Sequence, residues 1–284
     1  MNRFNSVILK CPICASMMCQ KNEKTLSCEG QRMHSYDLSA SGYVNLAPPK
    51  QCGGGDNKEA VKARTAFLSL DFYLPIANKT VELLNRFADI DKKVIDAGCG
   101  EGYYTLKIAK SGFFTLGFDI SKMAVEAAAK RAKQESVANV AFAVSSVYEL
   151  PVFDSSVGAV VNIFAPCVEE EYSRVLDDSG ILIVVHAGKN HLMGLKKQIY
   201  DNIYENDERA DLPKSLELIE EETLTYDISV KGNQNIKNLF AMTPYYWRTS
   251  LDDAKKLENL DELQTEIDII FSIFKKKVDG RENG

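Results

Sequence analysis

The sequence of 284 residues lacks the features that mark membrane and secreted proteins. It contains no run of eighteen apolar residues, so we expect no transmembrane helix and no membrane partner. Its first ten residues, MNRFNSVILK, have neither the apolar stretch nor the cleavage site of a signal peptide. The sequence therefore predicts a cytoplasmic protein. In that compartment, clustered cysteines are more often metal ligands or catalytic thiols than disulfides.

The sequence also lacks an excess of basic residues, with 34 Lys and Arg against 40 Asp and Glu. The formal net charge is −6, and a chain with this balance is a poor non-specific binder of nucleic acid. The charge is uneven, since residues 1–60 carry +2 and residues 61–284 carry −8. If the protein binds RNA, it does so through local patches, and the N-terminal part is the better candidate.

Cysteine is concentrated at the N-terminus, where residues 11–34 read CPICASMMCQKNEKTLSCEGQRMH. A C-x-x-C pair followed by a third cysteine and a histidine predicts a tetrahedral zinc site with these ligands: Cys11, Cys14, Cys28 and His34. All four positions are filled by protein, which indicates a structural ion replacing the core that so short a segment cannot build. Cys19 is a surplus thiol that could replace Cys28 or His34, or be buried. A redox pair is the alternative for the C-x-x-C.

Residues 47–60, APPKQCGGGDNKEA, combine paired prolines, three glycines and polar residues, which is typical of a linker. We therefore predict a zinc-binding RNA-recognition module at 1–48, a flexible linker at 49–60 and a catalytic domain at 61–284. Cys52 is expected to be an exposed free thiol. Apolar periodicity predicts helices at about 59–70 and 74–87.

The catalytic domain opens with a strand, a glycine-rich turn and a helix in KVIDAGCGEGYYTLKIA, residues 93–109. Glycines allow a sharp turn and a close approach of backbone amides to a ligand. A second strand ends in Asp119, whose carboxylate can accept both ribose hydroxyls of a nucleoside. Further strands are predicted at 140–144, 157–164, 180–186, 226–230 and 266–274, with a polar tail after Lys277 that we expect to be disordered.

The spacing D-x-G-x-G-x-G from Asp96 to Gly102 resembles motif I of class I S-adenosylmethionine-dependent methyltransferases. A dinucleotide site would need a third glycine where Tyr103 stands. The resemblance implies an α/β fold, a Rossmann-like doubly wound sheet of seven strands behind the small zinc-binding domain. Ser145 or Ser146, after the third strand, lies where such enzymes contact adenine.

Several segments together are similar to the RlmA-type 23S ribosomal RNA (guanine-N1)-methyltransferases: QRMHSYDLSASGYVNL, KARTAFL, DAGCGEGYYT, FDISKMAVEAAAKR, FAPC, HLMGLK and MTPYYWR. The resemblance implies methylation of guanine N1 in a ribosomal RNA hairpin near the peptide exit tunnel, a homodimer whose zinc domains form an RNA cleft and, in some members, altered macrolide susceptibility. It also implies the four zinc ligands already named. The implied cofactor contacts are Tyr73, Asp96, Gly98, Gly100, Glu101, Gly102, Tyr103, Tyr104, Thr105, Asp119, Ser145, Ser146 and His191.

The chain departs from the family pattern in two places. Five residues separate Cys28 from His34, where relatives often have three. The linker segment CGGGDN carries no arginine, which bears on RNA affinity.

Residues after the fourth strand are candidates for binding the target base: Asn162, Phe164, Pro166 and Cys167. Phe164 could stack on the base, and its alternative is a place in the core. The Pro-Cys pair also suits an RNA 5-methylcytosine enzyme, in which a thiolate attacks the pyrimidine. Two further alternatives are a small-molecule methyltransferase and a non-catalytic RNA-binding protein.

The expected positions of two more side chains can be stated. Trp247 is expected in the core. Without the family pattern, His191 is expected at a solvent-facing helix start.

Overall fold

The computed structural model describes position 4 and residues 8–48, 55–203, 205–206 and 212–277. Cys52 and the predicted disordered tail from 278 onward lie outside these residues. Near the N-terminus, three short antiparallel strands form a small sheet in the order β1-β2-β3: β1 (Met18–Asn22), β2 (Thr25–Cys28) and β3 (Ser35–Asp37). Few of their side chains are buried, so this sheet has little core of its own.

The main sheet has eight strands: β4 (Val44–Asn45), β5 (Val94–Ala97), β6 (Thr115–Asp119), β7 (Val140–Val144), β8 (Val157–Ile163), β9 (Leu176–Ala187), β10 (Glu217–Lys231) and β11 (Glu262–Lys275). Every residue of β5, β7 and β8 is buried. Continuous apolar runs of this kind are what parallel strands covered on both faces require. The predicted strands are all present, although β10 begins nine residues earlier than the predicted 226–230.

The strand order is β10-β11-β9-β8-β5-β6-β7-β4. Strands β4 to β9 run parallel to their neighbours, and β11 is antiparallel to both β9 and β10. Without β4, this is the predicted seven-stranded doubly wound sheet. The chain moves outward from β5 to β7 and then returns to β8 on the other side, so the ligand crevice is expected at the carboxyl ends of β5 and β8.

The helices connect and cover the strands: α1 (Lys58–Leu68), α2 (Leu74–Phe87), α3 (Tyr103–Lys110), α4 (Lys122–Gln134), α5 (Glu169–Val175), α6 (Met193–Ile199), α7 (Asn233–Ala241) and α8 (Leu251–Lys255). The two predicted N-terminal helices are found as α1 and α2. The side chain of Asn57 caps α1 by accepting from the Ala60 amide at 2.9 Å, and Ser121 caps α4 in the same way. No helix in the described ranges is long and apolar enough to cross a membrane.

The N-terminal module is part of the main core. Its strand β4 extends the large sheet beside β7, and Leu9 forms a bridge with Val152. Leu9, Met18 and Leu26 are buried in one cluster with residues of β5 and β8. The module therefore packs directly on the catalytic domain. Helix α1 begins at Lys58, inside the predicted linker, whose residues 49–54 lie outside the described ranges.

Candidate metal centre and active site

The four predicted zinc ligands converge on one point. Their ligand atoms all lie within 4.8 Å of one another. The Cys14 and Cys28 sulfurs are 3.5 Å apart, and His34 Nδ1 lies 3.5 Å from Cys28 Sγ and 3.6 Å from Cys11 Sγ. A tetrahedral zinc ion with Zn–S bonds of about 2.3 Å needs edges of roughly 3.5 to 3.8 Å, so the donor set and its spacing fit zinc.

Local structure holds these ligands in place. Cys11 and Cys14 lie on one turn, closed by a hydrogen bond from the Ala15 amide to Cys11 O at 2.8 Å. Cys28 ends β2, and the His34 amide donates to its sulfur at 3.1 Å. The five residues between Cys28 and His34 therefore close the site. Cys19 is not among the converging ligands, since its thiol donates to Glu29 Oε1 at 3.2 Å.

The glycine-rich turn between β5 and α3 lies against the end of β6. Gly98, Gly100 and Gly102 have φ values of 82°, 54° and 79°, a region that favours glycine. The Gly100 amide donates to Asp119 Oδ2 at 2.9 Å, and the Ser121 amide donates to Oδ1 at 2.8 Å. Burial raises the pKa of the Asp119 carboxyl, and these two amides oppose the rise. Each carboxylate oxygen can accept a further bond, as two ribose hydroxyls require.

Asp96 lies beneath this turn, where it is 2% exposed. Its Oδ2 accepts a hydrogen bond from Thr105 Oγ1 at 2.5 Å. Burial raises the pKa of Asp96 to about 7, the Thr105 bond opposes this, and the nearby charges of Asp119 and Glu101 add to it. The Asp96–Thr105 bond ties the first turn of α3 to β5 and so shapes the cradle from below.

Arg64 on α1 lies beside the glycine-rich turn and is a candidate site residue that the sequence analysis did not name. Its guanidinium contacts Asp56 at 2.5 Å and lies 3.8 Å from Glu101. A Cβ added to Gly100 would lie 3.4 Å from Arg64 Nη1. Burial acts to lower the pKa of Arg64, but the charges of Glu101 and Asp56 outweigh it and raise that pKa. The sequence offered one indication of this residue: Arg64 lies in the KARTAFL segment, which is shared with the family, and it precedes the glycine-rich motif with its carboxylates Asp96 and Glu101.

The two serines after β7 lie beside Asp119. The Ser145 amide donates to Asp119 O at 3.0 Å, and the residue is buried. Ser146 Oγ accepts from the Tyr148 amide at 3.2 Å. Both serines thus lie at the carboxyl edge of the sheet, two strands from the glycine-rich turn, with β6 between them.

The two tyrosines that open α3 differ in their partners. Tyr103 Oη donates to Asp71 Oδ1 at 3.3 Å. Tyr104 Oη is buried and has no hydrogen-bond partner among the described residues. A buried polar atom without a partner is costly, and a polar ligand at the crevice is one way to satisfy it.

Three aromatic rings meet beside the carboxyl end of β8. Tyr73 Oη lies 3.3 Å from His191 Nε2. The rings of His191 and Phe164 are 15° from parallel with centroids 6.1 Å apart, and the Tyr73 and Phe164 centroids are 6.3 Å apart. Phe164 is 44% exposed and has a φ of 54°. The alternative that Phe164 is a core residue is therefore wrong. Its ring is the exposed member of the cluster of Tyr73, Phe164 and His191, which is called the aromatic pocket below.

The hydrogen bonds of His191 define its tautomer. The Asp268 amide donates to His191 Nδ1 at 3.3 Å, so Nε2 carries the proton and donates to Tyr73 Oη. The Tyr73 hydroxyl proton is then left for another acceptor. His191 is 6% exposed, so the solvent-facing interpretation is wrong. Burial lowers the pKa of His191 to about 3, with a smaller effect from the charge of Lys196.

The loop after β8 rests on the glycine-rich turn. A Cβ added to Gly98 would lie 2.5 Å from the Cβ of Ala165. Asn162 is buried, and its Nδ2 donates to Pro166 O and to Tyr172 Oη, both at 3.0 Å. Asn162 and Pro166 thus fix the path of the loop. Cys167 is partly buried against the second core cluster.

The strand order, the glycine-rich turn in contact with Asp119 and the aromatic pocket at the switch point define a class I S-adenosylmethionine-dependent methyltransferase. Residues 88–243 match the family described as "Methyltransferase domain". Residues 9–52 match the zinc ribbon family described as "RlmA, N-terminal". The fold class and both predicted cofactors, S-adenosylmethionine and zinc, are thereby confirmed.

Three curated relatives narrow the class. A putative 23S rRNA (guanine-N1)-methyltransferase of Bacillus subtilis is 26% identical over 275 residues, 92% of this chain and 95% of the relative. The Streptomyces fradiae 23S rRNA (guanine(748)-N1)-methyltransferase is 31% identical over 192 residues, 66% of each chain. A putative enzyme of the same kind from Micromonospora griseorubida is 31% identical over 206 residues, 66% of this chain and 68% of the relative. The chain belongs to the family of RlmA-type 23S rRNA (guanine-N1)-methyltransferases.

We expect His191 to make folding stability depend on pH. An unfolded histidine titrates near pH 6.5, whereas burial lowers the folded pKa to about 3. Between these values the unfolded chain binds the extra proton, so the contribution of His191 is complete above about pH 6.5 and is lost as the pH falls, by up to about 1.4 kcal/mol per pH unit. Asp96 opposes this trend because its pKa is raised, so its effect on stability has the opposite sign.

The measurement therefore compares how the free energy of unfolding changes with pH in wild type and in a variant without this histidine. Urea unfolding of wild type and His191→Gln at several pH values between about 7 and 5 should show a flatter loss of stability toward acid in the variant. Equal slopes for His191→Gln and wild type would contradict the prediction.

Proposed function

We propose that this protein transfers a methyl group from S-adenosylmethionine to N1 of a guanine in a hairpin of 23S ribosomal RNA near the peptide exit tunnel. The observation that carries the proposal is the cluster of Tyr73, Phe164 and His191 at the carboxyl end of β8. Its exposed member is Phe164, and the next residue, Ala165, lies against Gly98 of the glycine-rich turn. The zinc ribbon and the named relatives support the choice of RNA and of guanine N1.

We assign the cofactor to the crevice above β5 and β6. Asp119 would accept the ribose hydroxyls, and Ser145 or Ser146 would contact the adenine. Arg64 and Glu101, 3.8 Å apart, present a positive and a negative group, which suits the carboxylate and the ammonium of the methionine end. The bound cofactor supplies an activated methyl group on a sulfonium.

The target guanine would stack on the exposed face of Phe164, with Tyr73 and His191 forming the wall shared with the cofactor. In the reaction, N1 would take the methyl carbon as the sulfur–carbon bond breaks, S-adenosylhomocysteine would leave, and the N1 proton would pass to solvent water. The donor is already activated, so alignment accounts for much of the rate.

The remaining features are proposed by analogy with the family. We infer a homodimer whose zinc modules form an RNA cleft, a cytoplasmic location, and an effect on macrolide susceptibility. In this assignment Cys11, Cys14, Cys28 and His34 would hold one structural zinc ion. The ion would keep the module in the position that presents RNA to the pocket.

Primer extension on unmethylated 23S rRNA, incubated with the protein and S-adenosylmethionine, tests the function. Methylation of N1 blocks Watson–Crick pairing, so reverse transcriptase should stop one nucleotide before a single guanine. The Cys167→Ser variant should give the same stop, because guanine methylation needs no thiolate. Loss of all turnover in Cys167→Ser would instead favour the 5-methylcytosine reaction, in which that thiolate is the nucleophile.

A cofactor-binding measurement separates the remaining outcomes. A protein that binds S-adenosylmethionine but gives no stop on 23S rRNA would contradict the proposed substrate and favour a smaller one. A protein that binds the cofactor and methylates no substrate at all would contradict the enzyme assignment.

A further inference from the structure

The loop after α7 carries aromatic side chains that the core does not use. Trp247 is 64% exposed and Tyr246 is 44% exposed, so the expectation that Trp247 is a core residue is wrong. The two rings meet edge to face with centroids 5.0 Å apart, and Tyr246 meets Phe240 of α7 in the same way at 5.4 Å. The indole is thus braced at its edge by a row of rings, while most of its surface faces solvent.

This loop is tied to the aromatic pocket. Tyr245 Oη donates to Asn206 Oδ1 at 2.8 Å. Asn206 Nδ2 in turn donates to Gly188 O at 3.0 Å and to His191 O at 3.1 Å. The turn that places His191 in the pocket therefore also fixes the loop that places Tyr246 and Trp247 on the surface.

Unpaired positive charge lies beside the exposed rings. Tyr246 lines a groove of about 760 Å³ between α1, α7 and α8, whose charged lining residues are Glu59, Lys62, Lys237, Lys255 and Glu258. Within the described ranges, Lys62, Lys237 and Arg248 make no ion pair. In a chain of net charge −6, a local set of unpaired cations next to open aromatic faces fits a phosphate backbone with unstacked bases.

We propose that Trp247, braced by Tyr246, is a stacking platform for an unpaired RNA base flanking the target nucleotide, with phosphates received by Lys62, Lys237 and Arg248. The inference depends on the proposed RNA substrate and adds to it a second base contact outside the pocket. Such a contact would hold the strand open while the target guanine is in the pocket.

Trp247 is the only tryptophan in the chain, so its emission reports on the platform directly. Titrating the zinc-loaded protein with an unmethylated 23S rRNA transcript should quench the indole fluorescence as a base stacks on it. Trp247→Ala should raise the KM for this RNA roughly tenfold, which corresponds to the lower part of the range for one base–aromatic stack. Trp247→Phe should lose less, because the smaller ring still stacks. Binding of S-adenosylmethionine should be unchanged in both.

Leu251→Ala is the matched control. Leu251 lines the groove that Tyr246 lines and is 83% exposed, but its side chain cannot stack on a base. It should leave the KM for RNA unchanged. No quenching by RNA together with a wild-type KM for Trp247→Ala, in a protein that methylates RNA, would overturn the platform and leave the proposed function intact. Quenching by RNA without methylation would support the platform and contradict the function. Emission that changes with protein concentration alone would identify an interface between two copies and overturn the proposal.

Discussion

Removal of zinc is expected to unfold residues 8–48 and to destabilise the rest of the protein. The module has too few buried side chains to fold alone, and a structural zinc ion in such a module contributes on the order of 10 kcal/mol of apparent folding free energy. Cys28→Ala should bring the zinc content from one ion per chain to well below one. Cys19→Ala should leave it at one, because that thiol faces Glu29 and not the other ligands.

The effect should reach the catalytic domain, because the two parts share a core. Leu9 and Leu26 are buried with residues of β5 and β8, and β4 covers the edge of β7. Hydrogen exchange on chelated protein should therefore show lost protection in β1 and β2 and weaker protection in β7, with metal analysis run in parallel. Full zinc content in Cys28→Ala, or equal losses in Cys28→Ala and Cys19→Ala, would contradict the ligand assignment.

The parallel strands could be predicted because burial on both faces leaves a continuous apolar run, which is visible without any tertiary information. The zinc ligands could be predicted because their spacing is local. In contrast, β4 has only two residues and no periodicity of its own. Its place beside β7 comes from packing of the module on the sheet, a long-range contact that no local pattern in the sequence reports.

The errors at single residues have the same origin. His191 is buried and accepts a hydrogen bond from the amide of Asp268, 77 positions later in the chain, and no local pattern reports such a contact. Trp247 was expected in the core because tryptophan is usually well buried. In the structure Trp247 is 64% exposed, and its ring meets Tyr246, which in turn meets Phe240 of α7. At these two positions, contacts with residues distant in the chain determine whether the side chain is buried, more than the residue type does.

Gly98→Ala is expected to abolish the activity by disturbing the cofactor cradle and the target pocket together. The new Cβ would lie 2.5 Å from the Cβ of Ala165, so the loop that carries Phe164 must move away from the turn. A displacement of about 1 Å can cost roughly 100-fold in rate when catalysis depends on alignment. The positive φ of 82° adds strain of about 1 to 2 kcal/mol. We expect weaker S-adenosylmethionine binding and a loss of at least about 100-fold in kcat/KM.

The Gly112→Ala variant serves to separate the effect of backbone strain at a positive φ from the effect of the steric clash between positions 98 and 165. Gly112 follows α3, also has a positive φ, of 115°, and its Cβ would meet only Ile90 Cδ1 at 3.5 Å. This variant should lose stability in denaturant unfolding but keep its activity at low temperature. Adding Ala165→Gly to Gly98→Ala removes the clashing methyl group and should restore part of kcat/KM while the strain remains. If the double variant is as inactive as Gly98→Ala, contact between the loop and the turn is not what couples the pocket to the cofactor. If Gly112→Ala is equally inactive, strain alone explains the loss.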